Sequence, residues 1–224
     1  MRKILIIISY FLGSYSLFAG DIATFTDIGF SGDSRYFMFA QYGVSDSLVY
    51  SDIYTVDVPK NSFTKDGVTK KEYPLTAYSM EDGTGAFYKG LFEISDTAKK
   101  AGIDPLKKGR CLYININGEP VRDLEFRDFK TGKTYKISLQ QNVSGSPAAP
   151  ESSFGIKILA ESASSPVKAY TAGTPSVKRK NVSGYSIRKI FLSPDERSMV
   201  LVIAKTITEK DSVSVRYMVE TLAL

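Results

Sequence analysis

The sequence predicts a mainly β protein, with antiparallel sheets in a small propeller-like or sandwich arrangement and one covering helix at about residues 85–101. Three observations carry that expectation. Short apolar–polar alternations with a period of two recur between clusters of Gly, Pro, Asn, Asp and Ser. A strand–turn–strand unit opens the folded region, and a similar unit returns near the end. Helical spacing of apolar residues is convincing in a single stretch.

The N-terminus stands apart from the fold. Arg2 and Lys3 precede an apolar run from Ile4 to Leu12, and Leu17-Phe18-Ala19 follows, the three-part layout of a secretory signal peptide. An apolar core of about ten residues is short for a membrane span, which needs roughly 20. Cleavage is expected after Ala19, so that 1–19 is a signal peptide and 20–224 a single mainly β domain. No later stretch has the length of a transmembrane segment, so the mature chain is expected to carry none. Loss of Arg2 and Lys3 lowers the net charge from +5 to +3, an ordinary balance for a protein surface.

The elements follow in order. Residues 23–30 lead into a turn at Ser31-Gly32-Asp33-Ser34, whose small polar residues suit tight backbone geometry. Residues 35–42 place Phe37 and Phe39 on one face and Tyr36, Met38 and Ala40 on the other, the pattern of a strand covered on both sides. Residues 48–58 have the β-branched and aromatic content of another strand, and 64–84 read as a long polar surface excursion. In the helix, Phe87, Leu91, Ile94, Ala98 and Ala101 form one stripe, with Thr84 as a cap and Gly102 just past the end. Its simplest role is to cover a sheet.

Cys111 starts an alternation that puts Leu112, Ile114 and Ile116 on one face, so a buried, inert thiol is expected. A strand at 121–128 and a hairpin turn at Lys130-Thr131-Gly132-Lys133 lead to 134–140, where Tyr135, Ile137 and Leu139 share a face. Residues 142–152 are rich in breakers and read as a loop, or as the boundary between two lobes, 20–141 and 153–224. Phe154, Ile156 and Ile158 mark another strand, and 161–184 is a second polar stretch. The last strands are 185–192, 199–204 and one marked by Val213, Val215, Tyr217 and Val219.

Ile28, Ser31, Asp33 and Arg35 match Ile190, Ser193, Asp195 and Arg197 at a constant offset. Turn chemistry accounts for Asp33 and Asp195, because an Asp side chain readily bonds its own backbone. Phe30-Ser31-Gly32-Asp33-Ser34-Arg35 and Leu192-Ser193-Pro194-Asp195-Glu196-Arg197 resemble the F-S-P-D-G-R turn of β-propeller blades, especially those of TolB-like periplasmic proteins. Ile53-Tyr54-Thr55-Val56-Asp57 and Phe129-Lys130-Thr131-Gly132-Lys133 similarly resemble a blade's outer hairpin. The turn Gly is replaced by Ser34 and Glu196, and the chain has room for about four blades at most. Taken whole, the chain also resembles a bacterial family of predicted secreted proteins of unknown function. That likeness rests on 30–44, on Ser51 through Val58, and on Val182-Ser183-Gly184-Tyr185-Ser186-Ile187-Arg188. It implies export and supplies no catalytic residue.

Several chemistries are excluded by composition. The chain has no His, which removes histidine-based triads and zinc sites. A single Cys rules out an internal disulfide or a thiolate cluster. Three Ser-x-x-Lys pairs, at Ser62/Lys65, Ser165/Lys168 and Ser186/Lys189, start no predicted helix. Gly132-Lys133-Thr134 lacks the first glycine of a phosphate loop, since Arg127 occupies its place. No catalytic residue, metal ligand or cofactor is therefore assigned.

Two basic clusters remain as binding candidates. One is Lys107, Lys108 and Arg110 with Lys99 and Lys100, and the other is Lys178, Arg179 and Lys180 with Arg188 and Lys189. On a shared face they would hold an anionic partner. The chain reads as an exported protein, periplasmic or secreted, that is non-enzymatic and binds another envelope protein or an anionic surface component. Nucleic acid is not expected as a partner. The alternative is an Asp/Glu-dependent hydrolase acting on a glycan, because paired carboxylates leave no local signature.

Overall fold

The alternation of Phe37-Met38-Phe39-Ala40 is resolved by what lies on each side of it. In the computed structural model, which describes residues 21–45, 48–75, 82–162, 165–209 and 212–224, this strand has a sheet on one face and helices on the other. Strands β1 (Thr24–Ser31), β2 (Tyr36–Ser45), β3 (Leu48–Asp57) and β4 (Ser62–Pro74) run as an antiparallel meander. The short β5 (Ile103–Asp104) joins the free side of β1 and completes the first sheet.

The helix splits into α1 (Thr84–Glu93) and α2 (Ser95–Lys100), with Ile94 between them at φ −97° and ψ 9°. Phe87 and Ile94 pack on Ile28, Met38, Ala40 and Ile53, so the pair does cover the sheet. The start is capped differently from expectation: Gly83 is the N-cap in the left-handed region, and Asp82 rather than Thr84 accepts a backbone hydrogen bond there. Gly102 ends the unit at φ 65°, as its position predicts.

After β6 (Arg110–Ile114) the chain builds a second antiparallel sheet from β7 (Asp123–Arg127), β8 (Thr134–Ser146), β9 (Ala149–Ser162) and β10 (Ser165–Gly173). The two-residue β11 (Arg179–Lys180) pairs with the start of β9. Finally β12 (Val182–Leu192), β13 (Ser198–Glu209) and β14 (Ser212–Ala223) form a meander, and β6 returns to lie beside β12.

This last sheet is the central layer. Met199, Leu201 and Ile203 face the β7–β11 sheet, while Val200 and Val202 face the β1–β5 sheet, which is why β13 is apolar at every position in that run. One core holds Tyr135, Ile137, Phe154, Ile156 and Ile158 against Ile187 and Ile190; the other holds Phe30, Phe37, Phe39 and Tyr54 against Phe191 and Tyr217. The arrangement is thus a sandwich of three sheets with helices outside. Among the described residues no closed barrel or propeller forms, and three sheets are fewer than the four or so blades a ring needs.

Amide side chains join the layers at open strand edges. Gln41 accepts the Tyr217 amide at 2.7 Å, and Gln141 accepts the Tyr185 amide at 2.9 Å. At the chain's near end, Ala23 and Asp21 exchange backbone bonds with Val215 of β14, and Asp21 pairs with Arg216.

Four local expectations are corrected. Most of 64–84 is the edge strand β4; with one neighbour and little burial it carries no alternation to read. Residues 142–152 are not a loop but the far end of the β8–β9 hairpin; 142–149 is exposed beyond the core, and the buried positions are Pro150 and Ser152, so no large apolar residue marks the strand. The stretch 161–184 contains β10 and β11. Cys111 is exposed rather than buried: the pairing of β6 with β12 skips Leu112, a bulge that turns both Leu112 and Tyr113 to the core and leaves Cys111 and Ile114 outside. The predicted signal peptide at 1–19 lies outside the described residues.

Candidate functional site

The two matched turns have one hydrogen-bond plan. Ser31 Oγ donates to Asp33 Oδ1 at 2.6 Å, the Arg35 amide donates to the same oxygen, and the Tyr36 amide donates to Ser31 Oγ. Ser193, Asp195, Arg197 and Ser198 repeat each contact. Ser34 and Glu196 adopt φ of 63° and 57° at the fourth turn position, where the blade motif would have Gly. The Ser31 hydroxyl, and then the Arg35 amide, hold the Asp33 carboxyl below the usual carboxylate range. These groups are used up in building turns. The turns sit in adjacent layers, joined by edge-on contacts of Phe191 with Phe30 and Phe37.

Glu196 leads to a charged network that sequence reading did not anticipate. Arg110 on β6 donates two bonds to Asp128, at 2.8 and 3.0 Å, and two to Glu196, at 2.8 and 3.3 Å. Lys130 adds a contact to Glu196 at 2.7 Å, and Thr131 one to Asp128 at 2.6 Å. The Arg110 bonds push Asp128 down to about 2, and they lower Glu196 as well. Arg110 is held firmly as the cation. The cluster has the acid pair a glycosidase would want, but both members stay ionised, and such an enzyme needs one carboxyl raised to carry a proton.

The two predicted basic sets meet at one point, where Lys108 and Lys189 share Asp27, while their three-residue cores lie apart. Lys107, Lys108 and Arg110 lie near the Leu192 end of β12, while Lys178, Arg179 and Lys180 precede its Val182 end. At about 3.3 Å per residue the length of β12 separates them by roughly 30 Å. Lys108 Nζ is held by Asp27 at 2.7 Å and by two backbone carbonyls. Arg110 is neutralised in its network, and Arg179 lies 5.2 Å from the Phe154 ring and 6.0 Å from that of Tyr185. Lys107, Lys178 and Lys180 are exposed.

The hollow that joins apolar walls to a polar rim lies between the helices and the β1–β5 edge. It measures about 460 Å³ and is lined by Ile28, Phe87, Leu91, Ala98, Ile103 and Pro105, with Thr26, Asp27, Ser95 and Lys99 around it. Local chain geometry makes the space. A bulge between Asp27 and Gly29 shifts the β1–β2 register, and Gly29 at φ 149° lets the β5 backbone approach, where a Cβ would meet the Asp104 carbonyl at 2.3 Å. The same bulge turns Asp27 to receive Lys108 and Lys189. Across the hollow, the helix breaks at Ile94 between α1 and α2, and the small Ala98 of α2 lines the space. A second hollow of about 570 Å³ lies over β7–β9, but all its lining residues belong to a single sheet. Among the described residues no group of His, Cys, Asp and Glu forms a metal-ligand set, and no helix is long and apolar enough to cross a membrane.

The family model described as "Predicted secreted protein (DUF2259)" matches residues 38–223, from β2 through β14. No curated protein and no solved structure matches the chain.

Proposed function

The chain belongs to this family of predicted secreted proteins, and from that premise we propose that it is a non-enzymatic binding protein that takes an anionic amphiphile of the cell envelope. The carrying observation is the hollow under the helix pair. Its volume of about 460 Å³ falls in the range of small-molecule sites, and its walls are apolar on both the helix and the sheet side. An acyl chain buried there gains roughly 0.8 kcal/mol per methylene. Lys99 stands at the mouth with no ion-pair partner among the described residues, placed to meet an acidic head group. Lys108 and Lys189 are committed to Asp27, so they shape the rim rather than bind.

This narrows the anionic surface component expected from composition to one with an apolar body. The compartment that fits is the periplasm or the exterior. The hydrolase alternative loses support, because the acid pair best placed for it, Asp128 and Glu196, shares Arg110 and holds no proton.

Titration of the mature protein with a fluorescent long-chain carboxylate tests the proposal. Saturable binding is expected, weakened by Lys99→Ala, more so at low salt, and lost on filling the hollow with Ala98→Phe. Binding that is unaffected by Ala98→Phe in a folded variant would place the ligand elsewhere and overturn the reading.

A further inference from the structure

At the far end of the core between the central and β7–β11 sheets, we propose an oxyanion-binding site formed by Arg179, Lys205 and Ser152. It is separate from the hollow under the helices and does not depend on it.

Strand geometry brings the three groups together. Ile203 and Ile207, two residues to either side of Lys205 on an unbroken stretch of β13, pack into this core, so alternation turns Lys205 into it as well. Its cross-strand neighbours are Tyr185 on β12 and Arg216 on β14. On the facing sheet, Ser152 precedes Phe154 and Ile156 by two and four residues in a regular register and shares their inward face. Arg179 of β11 is paired directly with Ser152. Its guanidinium lies over Phe154 and Tyr185, and one of its nitrogens also donates to the Val177 carbonyl at 3.3 Å. The Tyr185 hydroxyl donates to the Ser152 carbonyl at 3.1 Å, which ties the two sheets together beside the site.

What marks this place is unspent polar capacity. Ser152 is 1% exposed and its Oγ has no hydrogen-bond partner. Lys205 is half-buried and has no hydrogen bond or ion pair among the described residues. Burial first, and then Lys70, Arg179 and Arg216, press its ammonium below the ordinary lysine value, with Asp52 opposing. Arg216 is already paired with Asp21, and Asp52 with Gln41 and Tyr54. A buried hydroxyl without a partner and a desolvated ammonium beside a guanidinium are each costly alone. One oxyanion accepting from all three would satisfy them with charge-assisted bonds. Arg179 presents a flat guanidinium held on two aromatic faces, which suits a carboxylate or phosphate.

The experiment is a titration of the mature protein with inorganic phosphate and, separately, acetate. NMR of the Lys205 side chain and thermal denaturation are the readouts. Saturable movement of the Lys205 resonance with a rise in Tm is expected. Preference for phosphate would assign a phosphate-bearing ligand, and preference for acetate a carboxylate. Lys205→Met and Arg179→Gln should each weaken binding about tenfold or more, the loss of one charge-assisted bond, while Ala98→Phe leaves it unchanged. A flat Lys205 response to both anions, or equal binding in both variants, would overturn the proposal. Should Lys205→Met fail to fold, Arg179→Gln decides alone.

Discussion

Arg110 grips Asp128 through two parallel hydrogen bonds, one from each terminal nitrogen, at 2.8 and 3.0 Å. The contact ties β6 in the central sheet to the β7–β8 turn of its neighbour. With the Asp128 side chain 2% exposed, its charge has no recourse to solvent.

Replacing Arg110 by Ala should therefore destabilise the fold by about 3 kcal/mol, the cost of leaving a buried carboxylate unpaired. Urea unfolding of the variant checks this. The double variant Arg110→Ala/Asp128→Ala should recover part of the loss, whereas simple additivity would show that the pair is not coupled.

The same pair sets an acid limit on stability. The folded Asp128 carboxyl is lowered to about 2, below its ordinary value, so its contribution is fully present above about pH 4 and is lost as pH falls toward 2. Glu196 and Asp33 are shifted in the same direction and add to the trend. The expected change from Asp128 is roughly 2 kcal/mol. Unfolding free energies measured between pH 2 and 5 should show a shallower slope in Asp128→Asn than in the parent.

Asn61 offers a test of the joint between the first and central sheets. It holds φ at 48°, donates to the buried Glu220 at 2.6 Å and accepts the Thr221 amide at 2.7 Å. Asn61→Ala should cost about 3 kcal/mol, combining backbone strain with two orphaned partners. Asn61→Gly, which tolerates the backbone angle, should recover about 1 kcal/mol of that. Equal losses in the two variants, read from chemical denaturation, would remove the strain component.

Exposure of Cys111 has a direct readout. A thiol reagent should modify the native protein at one site without denaturant, and Cys111→Ser should abolish labelling with little change in Tm. Labelling that required unfolding would contradict the outward orientation set by the Leu112 bulge.

How much of this was legible depended on whether a residue meets the core through its own strand. Phe37 to Ala40 and Met199 to Ile203 announce two-sided burial by being apolar on both parities, and both are covered on each face. The Ser-x-Asp turns were readable because their bonds are local. Strand β4 and residues 142–149 lack a buried face, and the buried positions that follow are Pro150 and Ser152, so nothing in their pattern separates strand from loop. At β6 a single bulge reversed the reading of Cys111. The Arg110 network and the 460 Å³ hollow arise from elements distant in sequence. No local spacing could show that Arg110 meets acids, or that Leu91 and Ala98 line a space instead of filling it.

The return of β6 to β12 makes the β7–β11 sheet an excursion within the central one. β6 ends at Ile114 and its partner begins at Val182, with all of β7–β11 between. The middle layer is thus closed by one of the longest loops in the molecule, and loop closure must precede the contacts that reward it. Until β12–β14 arrive, Phe30, Phe37 and Phe39 have nothing to cover them. A chain that crosses a membrane from its N-terminus would pass through that state every time, so a chain stopped before Val182 is expected to be aggregation-prone rather than merely shortened. Comparing the solubility of such a truncation with that of the whole protein measures how far folding waits on the last strands.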